Sequence, residues 1–292
     1  VFDSSIVWYL FLGGTGAGAL SVLAGADLLF WRHGERPARH LAWTTGLTRS
    51  FLARGLAVST MLLALGALCL LTDLGHPERF FYVLVHPTAS VLTFGSYVLA
   101  GTVLCAAFLC SIALFNLTRI PALAIRTIEA LAIVLGFCTM AYTGVFLADI
   151  GFVALWGNPL LPVLFTFSSL SCGTMCVLAC ALFEAPERKG RLVDALVRID
   201  ALAIVLELVS LAAYLAYGAL LVNGSQTIGV LVSGDLRDLF WMGFVCLGMV
   251  LPLAIDAAYT RMGTAALPAL AIPLILIGGY LLRYCMVNAP YG

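Results

Sequence analysis

The sequence predicts an all-α fold: a polytopic membrane helix bundle of eight transmembrane helices, with both termini on the extracytoplasmic side. Three observations predict it. Hydrophobic residues make up 62% of the chain and charged residues only 10%, whereas soluble domains carry about 25% charged residues. Apolar runs long enough to cross about 30 Å of hydrocarbon recur along the chain, and the mean hydropathy is +1.07. The basic residues also cluster in alternate connectors. A soluble chain of 292 residues would need far more polar side chains to cover its surface; lipid solvates apolar surface directly.

The eight runs lie near 6–31, 51–72, 89–115, 127–149, 159–183, 195–222, 239–259 and 265–288. The first is too long for a cleaved signal peptide, and Asp3 with no Lys or Arg precedes it, so it counts as a helix. It reads YLFLGGTGAGALSVLAGAD, in which Gly14 and Gly18 form a small-xxx-small pair and Gly13, Gly16 and Gly25 smooth the surface. Such residues let a second backbone approach closely or a flat ligand lie against the helix. No strand precedes the glycines and no lysine ends them, which argues against a nucleotide loop. The fourth run puts Tyr142 and Asp149 on one face, roughly 10 Å apart along the axis. In the fifth, Cys172, Cys176 and Cys180 recur at every fourth residue. Metal sites favour closer pairs in wrapping loops, so these cysteines read as small packing residues. The sixth carries Glu207 near mid-membrane with Ser210, Tyr214 and Tyr217 continuing its face, and the eighth carries Tyr280, Arg283 and Tyr284 towards the outer boundary.

Twelve of the fifteen basic residues fall in the segments joining runs one to two, three to four, five to six and seven to eight; the other three are Arg79, Arg237 and Arg283. The positive-inside rule then places both ends outside the cytoplasm. The outward connectors include TDLGHPERFFYVLVHP, residues 72–87, whose prolines restrict the backbone while Glu78 and Arg79 offer charged contacts to a docking partner. The chain reads as one integral membrane domain over 1–292, open to division into four-helix halves, 1–150 and 151–292, between which no convincing repeat is visible.

Ionisable residues inside spans each cost a few kcal/mol unless paired or wet. Asp149, Glu207, Asp256, Asp27 and Arg283 are the proton-transfer candidates, and Glu129 is a further buried acid; the alternative for each is a helix-to-helix ion pair. Asp27, Arg54 and Asp256 also fit plain interface anchors. His33, His40, His76 and His86 all lie in or beside connectors, which argues against a haem held by axial histidines across the membrane. The one lysine, Lys189, lies in a connector, which excludes a buried retinal Schiff base. No metal site, haem or iron-sulfur cluster is expected in this chain, and no nucleic-acid partner; membrane lipid surrounds it.

The succession WYLFLGGTGAGA (8–19), DLGHPERF (73–80), AYTGVFLADIGFVALWGNPLLPVLFTFSSLSCG (141–173) and IGGYLLRYCMVNA (277–289) resembles the NrfD/PsrC family, the membrane subunits of polysulfide reductase and related respiratory enzymes, over almost the whole chain. The resemblance implies a subunit of the bacterial or archaeal cytoplasmic membrane that binds menaquinone or ubiquinone near its outer face. It also implies electron exchange with an iron-sulfur subunit outside and, through it, a molybdenum-containing catalytic subunit. By motif the quinone-site tyrosine is Tyr142, and the family's D-x-G-R-P falls on Asp73, Gly75, His76 and Pro77, with histidine in the arginine position. Trp8 and Tyr9 are expected to line the same region. A quinone needs an apolar slot with one or two donors and a proton acceptor. Gly13 and Gly14 can supply the slot, Tyr142 and His76 the donors, and Asp73 or Asp149 the acceptor. The rival readings are a proton- or ion-transporting subunit and a purely structural anchor.

Overall fold

The computed structural model describes residues 4–31, 49–73, 90–117, 120–149, 156–184, 186–220, 229, 231–263 and 266–289. Eight long apolar helices account for most of them, and no strand occurs among the described residues. They are α1 (Ser4–Trp31), α2 (Arg49–Asp73), α3 (Val91–Phe115), α4 (Ala122–Asp149), α5 (Leu161–Ala181), α6 (Pro186–Leu220), α7 (Leu239–Met262) and α8 (Ala266–Asn288). Each coincides with one of the apolar runs to within a few residues, except that α6 begins about nine residues earlier than its run, which started at 195. The chain is a multi-pass membrane protein.

Local chemistry sets the ends. Ser90 caps α3 by accepting from the Thr93 N–H at 3.2 Å, and Asn116 closes it in the left-handed conformation at φ 54°. At the same end of α3, Arg49 from the start of α2 donates to the carbonyls of Ala113 and Leu114, both at 2.8 Å. Arg54 pairs with Glu184 beyond α5. A basic side chain therefore satisfies carbonyls that a helix terminus leaves without partners.

α7 begins as a π-helix over Leu239–Val250 and continues as an α-helix over Leu251–Met262. The Leu251 N–H bonds the Cys246 carbonyl five residues back, and the next residue, Pro252, has no N–H to extend that ladder. The wider winding brings Gly243 and Gly248, five apart, onto the side of α8. A Cβ on Gly248 would lie 2.6 Å from the Cα of Gly278.

α1 is the hub. Its face carrying Tyr9, Gly13 and Gly16 meets α2, where Gly66 packs on the Gly13 backbone and Ser59 donates to the Gly16 carbonyl at 2.9 Å. Its face carrying Leu10, Gly14 and Gly18 meets α5 and α8. These two tracks follow from the i, i+4 spacing of side chains along one helix face. The closest approach is between α1 and α5: a Cβ on Gly18 would sit 2.2 Å from the Ser169 carbonyl oxygen, and one on Gly173 would sit 2.3 Å from the Ala19 nitrogen. Gly18→Val must push α5 away, and overpacking of this kind costs about 1–3 kcal/mol or more. We expect it to lower the melting temperature of the detergent-solubilised protein, whereas Gly25→Ala, where a Cβ meets nothing within 4 Å, should not.

Candidate functional site

The N-terminal part of α1 and the C-terminal part of α8 run antiparallel at one end of the bundle, the chain-end face. Arg283 of α8 is fully buried there. Its Nε donates to the Leu10 carbonyl at 3.1 Å, Nη1 to the Gly279 carbonyl at 2.6 Å and to Ser168 Oγ at 3.2 Å, and Nη2 to Ser169 Oγ at 2.7 Å. The guanidinium also lies over the rings of Phe11 and Phe165, at 5.8 and 5.4 Å from their centroids. Ser168 in turn hydrogen-bonds the Glu207 carboxyl of α6. One cation thus joins α1, α5, α6 and α8, and its delocalised charge is spread over oxygens and ring faces, as hydrocarbon requires. Gly14 and Gly279 make the room: a Cβ at Gly14 would lie 2.4 Å from Ser169 Oγ, and one at Gly279 would lie 2.3 Å from Cys172 Sγ. Arg283 is therefore deeper and more fully partnered than its boundary position in the sequence suggests.

Turning from Leu10 to Tyr9 moves about 100° round α1 and into a different environment. Tyr9 is buried, its ring 3.5 Å from where a Cβ of Gly13 would be. Phe146 of α4 lies between it and Tyr142, with ring centroids 6.3 Å from Tyr9 and 6.0 Å from Tyr142. The Tyr142 ring occupies the volume a side chain would need at Gly95 of α3, where a Cβ would fall 1.7 Å from Tyr142 Cζ. Both phenol hydroxyls are buried, and neither has a hydrogen-bond partner among the described residues. Buried hydroxyls left unpaired cost about 1–3 kcal/mol each. They mark a place where a polar acceptor is wanted.

The structure brings Tyr9, Tyr142 and Gly13 together, and it separates Trp8 and Gly14 from them. Trp8 is 44% exposed and packs on Tyr280 of α8 at 4.7 Å between centroids, on the outer side of α1. Gly14 belongs to the seat of Arg283. Asp149 is exposed at the end of α4. Asp73 is the last residue of α2, and its side chain, with His76, Glu78 and Arg79, lies outside the described residues.

A second set of acids occupies the half of the bundle away from the chain ends. Asp200 of α6 accepts from Ser171 Oγ at 2.7 Å, and its side chain faces Asp256 of α7. Among the described residues no donor reaches Asp200 Oδ2 or either Asp256 oxygen, so the two carboxyls can satisfy each other only when one of them carries a proton. Asp194 accepts from the Tyr259 hydroxyl at 2.6 Å, one turn and a half nearer the start of α6. Asp27 and Glu129 bond to each other across α1 and α4. Asp27 and Asp256 are therefore buried, which an anchor at the membrane surface would not be. Asp200 is an acid that the sequence reading does not single out. The signal for it is its position inside an apolar run, seven residues before Glu207 and so on the same helix face. Among the described residues no group of three or more His, Cys, Asp or Glu side chains could hold a metal ion.

Eight helices long and apolar enough to cross a membrane, four of them joined through one buried cation, define an integral membrane protein. The family described as Polysulphide reductase, NrfD matches residues 1–291. The chain belongs to that family, whose members are membrane subunits of respiratory oxidoreductase complexes. It is 28% identical to the C chain of the polysulfide reductase of Wolinella succinogenes, covering 98% of this chain and 95% of the relative. It is 27% identical to protein NrfD of Escherichia coli, covering 99% of this chain and 94% of that protein.

Lysine at 283 would keep the charge and lose the fork that reaches Ser168, Ser169 and Leu10 together. Arg283→Lys should therefore destabilise the protein by about 1–3 kcal/mol for each buried partner it leaves unbonded. A melting temperature equal to that of the unaltered protein would contradict this account of the bundle.

Proposed function

We propose that this subunit binds a quinone or quinol at the chain-end face, between α1, α3 and α4, and exchanges electrons there with an iron-sulfur subunit outside the membrane. The single observation that carries the reading is the pair of buried hydroxyls of Tyr9 and Tyr142, neither with a partner among the described residues. The residues fit the group in their chemistry: the rings of Tyr9, Phe146 and Tyr142 offer apolar faces to a flat ring, and the two phenols can each donate to a carbonyl oxygen. A bound quinone would supply two-electron, two-proton redox chemistry. Tyr9 and Tyr142 would orient it and hold its oxygens by hydrogen bonds. Asp149 at the end of α4, and Asp73 at the end of α2, would accept or deliver protons at the aqueous edge. His76, Glu78 and Arg79 follow Asp73 in sequence, His76 as a further donor and Glu78 and Arg79 as contacts for the iron-sulfur subunit. The basic connectors on the other side support an orientation with both chain ends outside the cytoplasmic membrane of a bacterium or archaeon. A molybdenum-containing catalytic subunit beyond the iron-sulfur subunit completes the assembly in this reading.

The hydroxyl at 142 has no partner among the described residues, so Tyr142→Phe should leave stability unchanged or slightly raised, while slowing quinol oxidation or quinone reduction in the assembled complex by an amount matching about 1–3 kcal/mol. A stopped-flow assay on the purified complex measures this. Unchanged kinetics would favour a purely structural anchor.

The chain of buried acids favours a second role, proton transfer through the bundle. Asp256, Asp200 and Glu207 follow one another along α6 and α7, and Glu207 reaches Arg283 through Ser168. Glu207→Gln keeps the shape and removes the titrating group. Loss of proton uptake by vesicles during turnover, with the melting temperature held, would support a relay. Loss of stability with proton uptake per turnover unchanged would assign Glu207 to the framework of Arg283 alone.

A further inference from the structure

A cavity of about 690 Å³ opens on the flank of the bundle in the half away from the chain ends. Its volume lies within the range of about 300–1,000 Å³ usual for ligand sites. α4 and α6 form its walls, with Phe137 on one side and Leu192, Ala195 and Ile199 on the other. α1 and α5 form its floor, through Gly25, Val22, Leu170 and Val177. Phe137 and Ile199 are exposed at its rim, and both lie within membrane-spanning helices, so the cavity opens into hydrocarbon and not into water.

Its chemistry limits the occupant. Ser21 supplies the only hydroxyl among its lining side chains, and that group is engaged by the Ala17 carbonyl at 2.9 Å. A quinone ring would find no donor there. An alkyl chain needs none. The lining positions on α1 run from Ser21 to Leu29, about 12 Å along the axis, which suits a chain lying lengthwise between the helices. Gly25 keeps the floor low, since a Cβ there would meet nothing within 4 Å.

The end of the groove is charged. Ala195 and Ile199 continue, by steps of four, a stripe that begins at Arg191, which is exposed one turn nearer the start of α6. Position 188, also arginine, falls on the same side by register, four residues before Leu192. A cation therefore stands where the headgroup of a lipid would be if its tail lay in the groove, and basic residues at this depth attract anionic lipids.

We propose that this groove is a binding site for an anionic phospholipid, one acyl chain lying between α4 and α6 and the phosphate at Arg191. The site is separate from Tyr9 and Tyr142 at the chain-end face and does not depend on what those phenols bind.

The experiment uses the assembled complex, stripped of native lipid and reconstituted in equal dioleoylphosphatidylglycerol and dioleoylphosphatidylcholine. Native mass spectrometry then counts the lipids retained on this chain. The unaltered protein should keep one lipid and favour the glycerol headgroup. Arg191→Gln should cut that preference about fivefold, the share of one cation near a membrane surface. Gly25→Phe, which fills the floor from a position where a Cβ meets nothing within 4 Å, should abolish retention, and Ala195→Phe should do the same from the wall. Retention undiminished in either filled variant, or the two lipids held in their bulk ratio by the unaltered protein, would overturn the proposal. So would recovery of an isoprenoid quinone lost only when Gly25 is filled. If Gly25→Phe fails to assemble, the Arg191→Gln and Ala195→Phe counts decide.

Discussion

A guanidinium in hydrocarbon is tolerated only when its donors are used and its charge is shared, and Arg283 meets that condition by recruiting groups from four helices. Leu10 contributes a backbone carbonyl from α1, Gly279 one from α8, Ser168 and Ser169 their hydroxyls from α5, and Glu207 a carboxyl from α6 through Ser168. Because these partners must converge within hydrogen-bond distance, the relative heights of α1, α5 and α8 have little freedom. Lipid supplies no hydrophobic drive to bring helices together, so polar bonds of this kind and close packing have to do it.

The close packing comes from a stripe of small residues on α1 whose role changes along its length. Gly14 clears space for Arg283, Gly18 lets α5 approach to backbone contact opposite Gly173, Ser21 lies against Gly136 of α4, and Gly25 borders the open groove. Small side chains on one helix thus produce tight crossings at Gly14 and Gly18 and border a cavity at Gly25. A neighbouring face of α1 carries Tyr9 and Gly13, and the two phenols pack there because Gly66 and Gly95 admit α1 and the Tyr142 ring closely. The phenol pair and the buried cation sit back to back on one helix. Any shift of α1 would move both.

The buried acids are held in a different way. Asp27 with Glu129, and Asp200 with Asp256, place carboxyl groups against each other and not against cations. Two like groups share a site in a medium of low dielectric only with a proton between them. The ion pairs seen among the described residues, Arg54 with Glu184 and Arg237 with Asp238, involve none of these four acids. A proton-sharing pair avoids the desolvation of a full charge.

The number, order and approximate bounds of the helices were legible in the sequence by itself, because crossing a bilayer demands long apolar runs and leaves few alternatives. So was the family, through motifs spread from residue 8 to residue 289. Gly14 and Gly18 could be read as packing residues from residue type and spacing, and Tyr142 as a candidate donor through the resemblance to the family. Tertiary structure alone decided which side of α1 each neighbour occupies. Trp8 and Tyr9 are adjacent in sequence, yet one faces outward against Tyr280 and the other inward towards Phe146. Helical spacing fixes the angle between them but not the direction either takes, which depends on where α2, α4 and α8 pack. The same holds for the acids. A carboxyl inside an apolar run announces a cost, but its partner comes from another helix, so Asp200 acquired a role only once α5 and α7 had brought Ser171 and Asp256 to it.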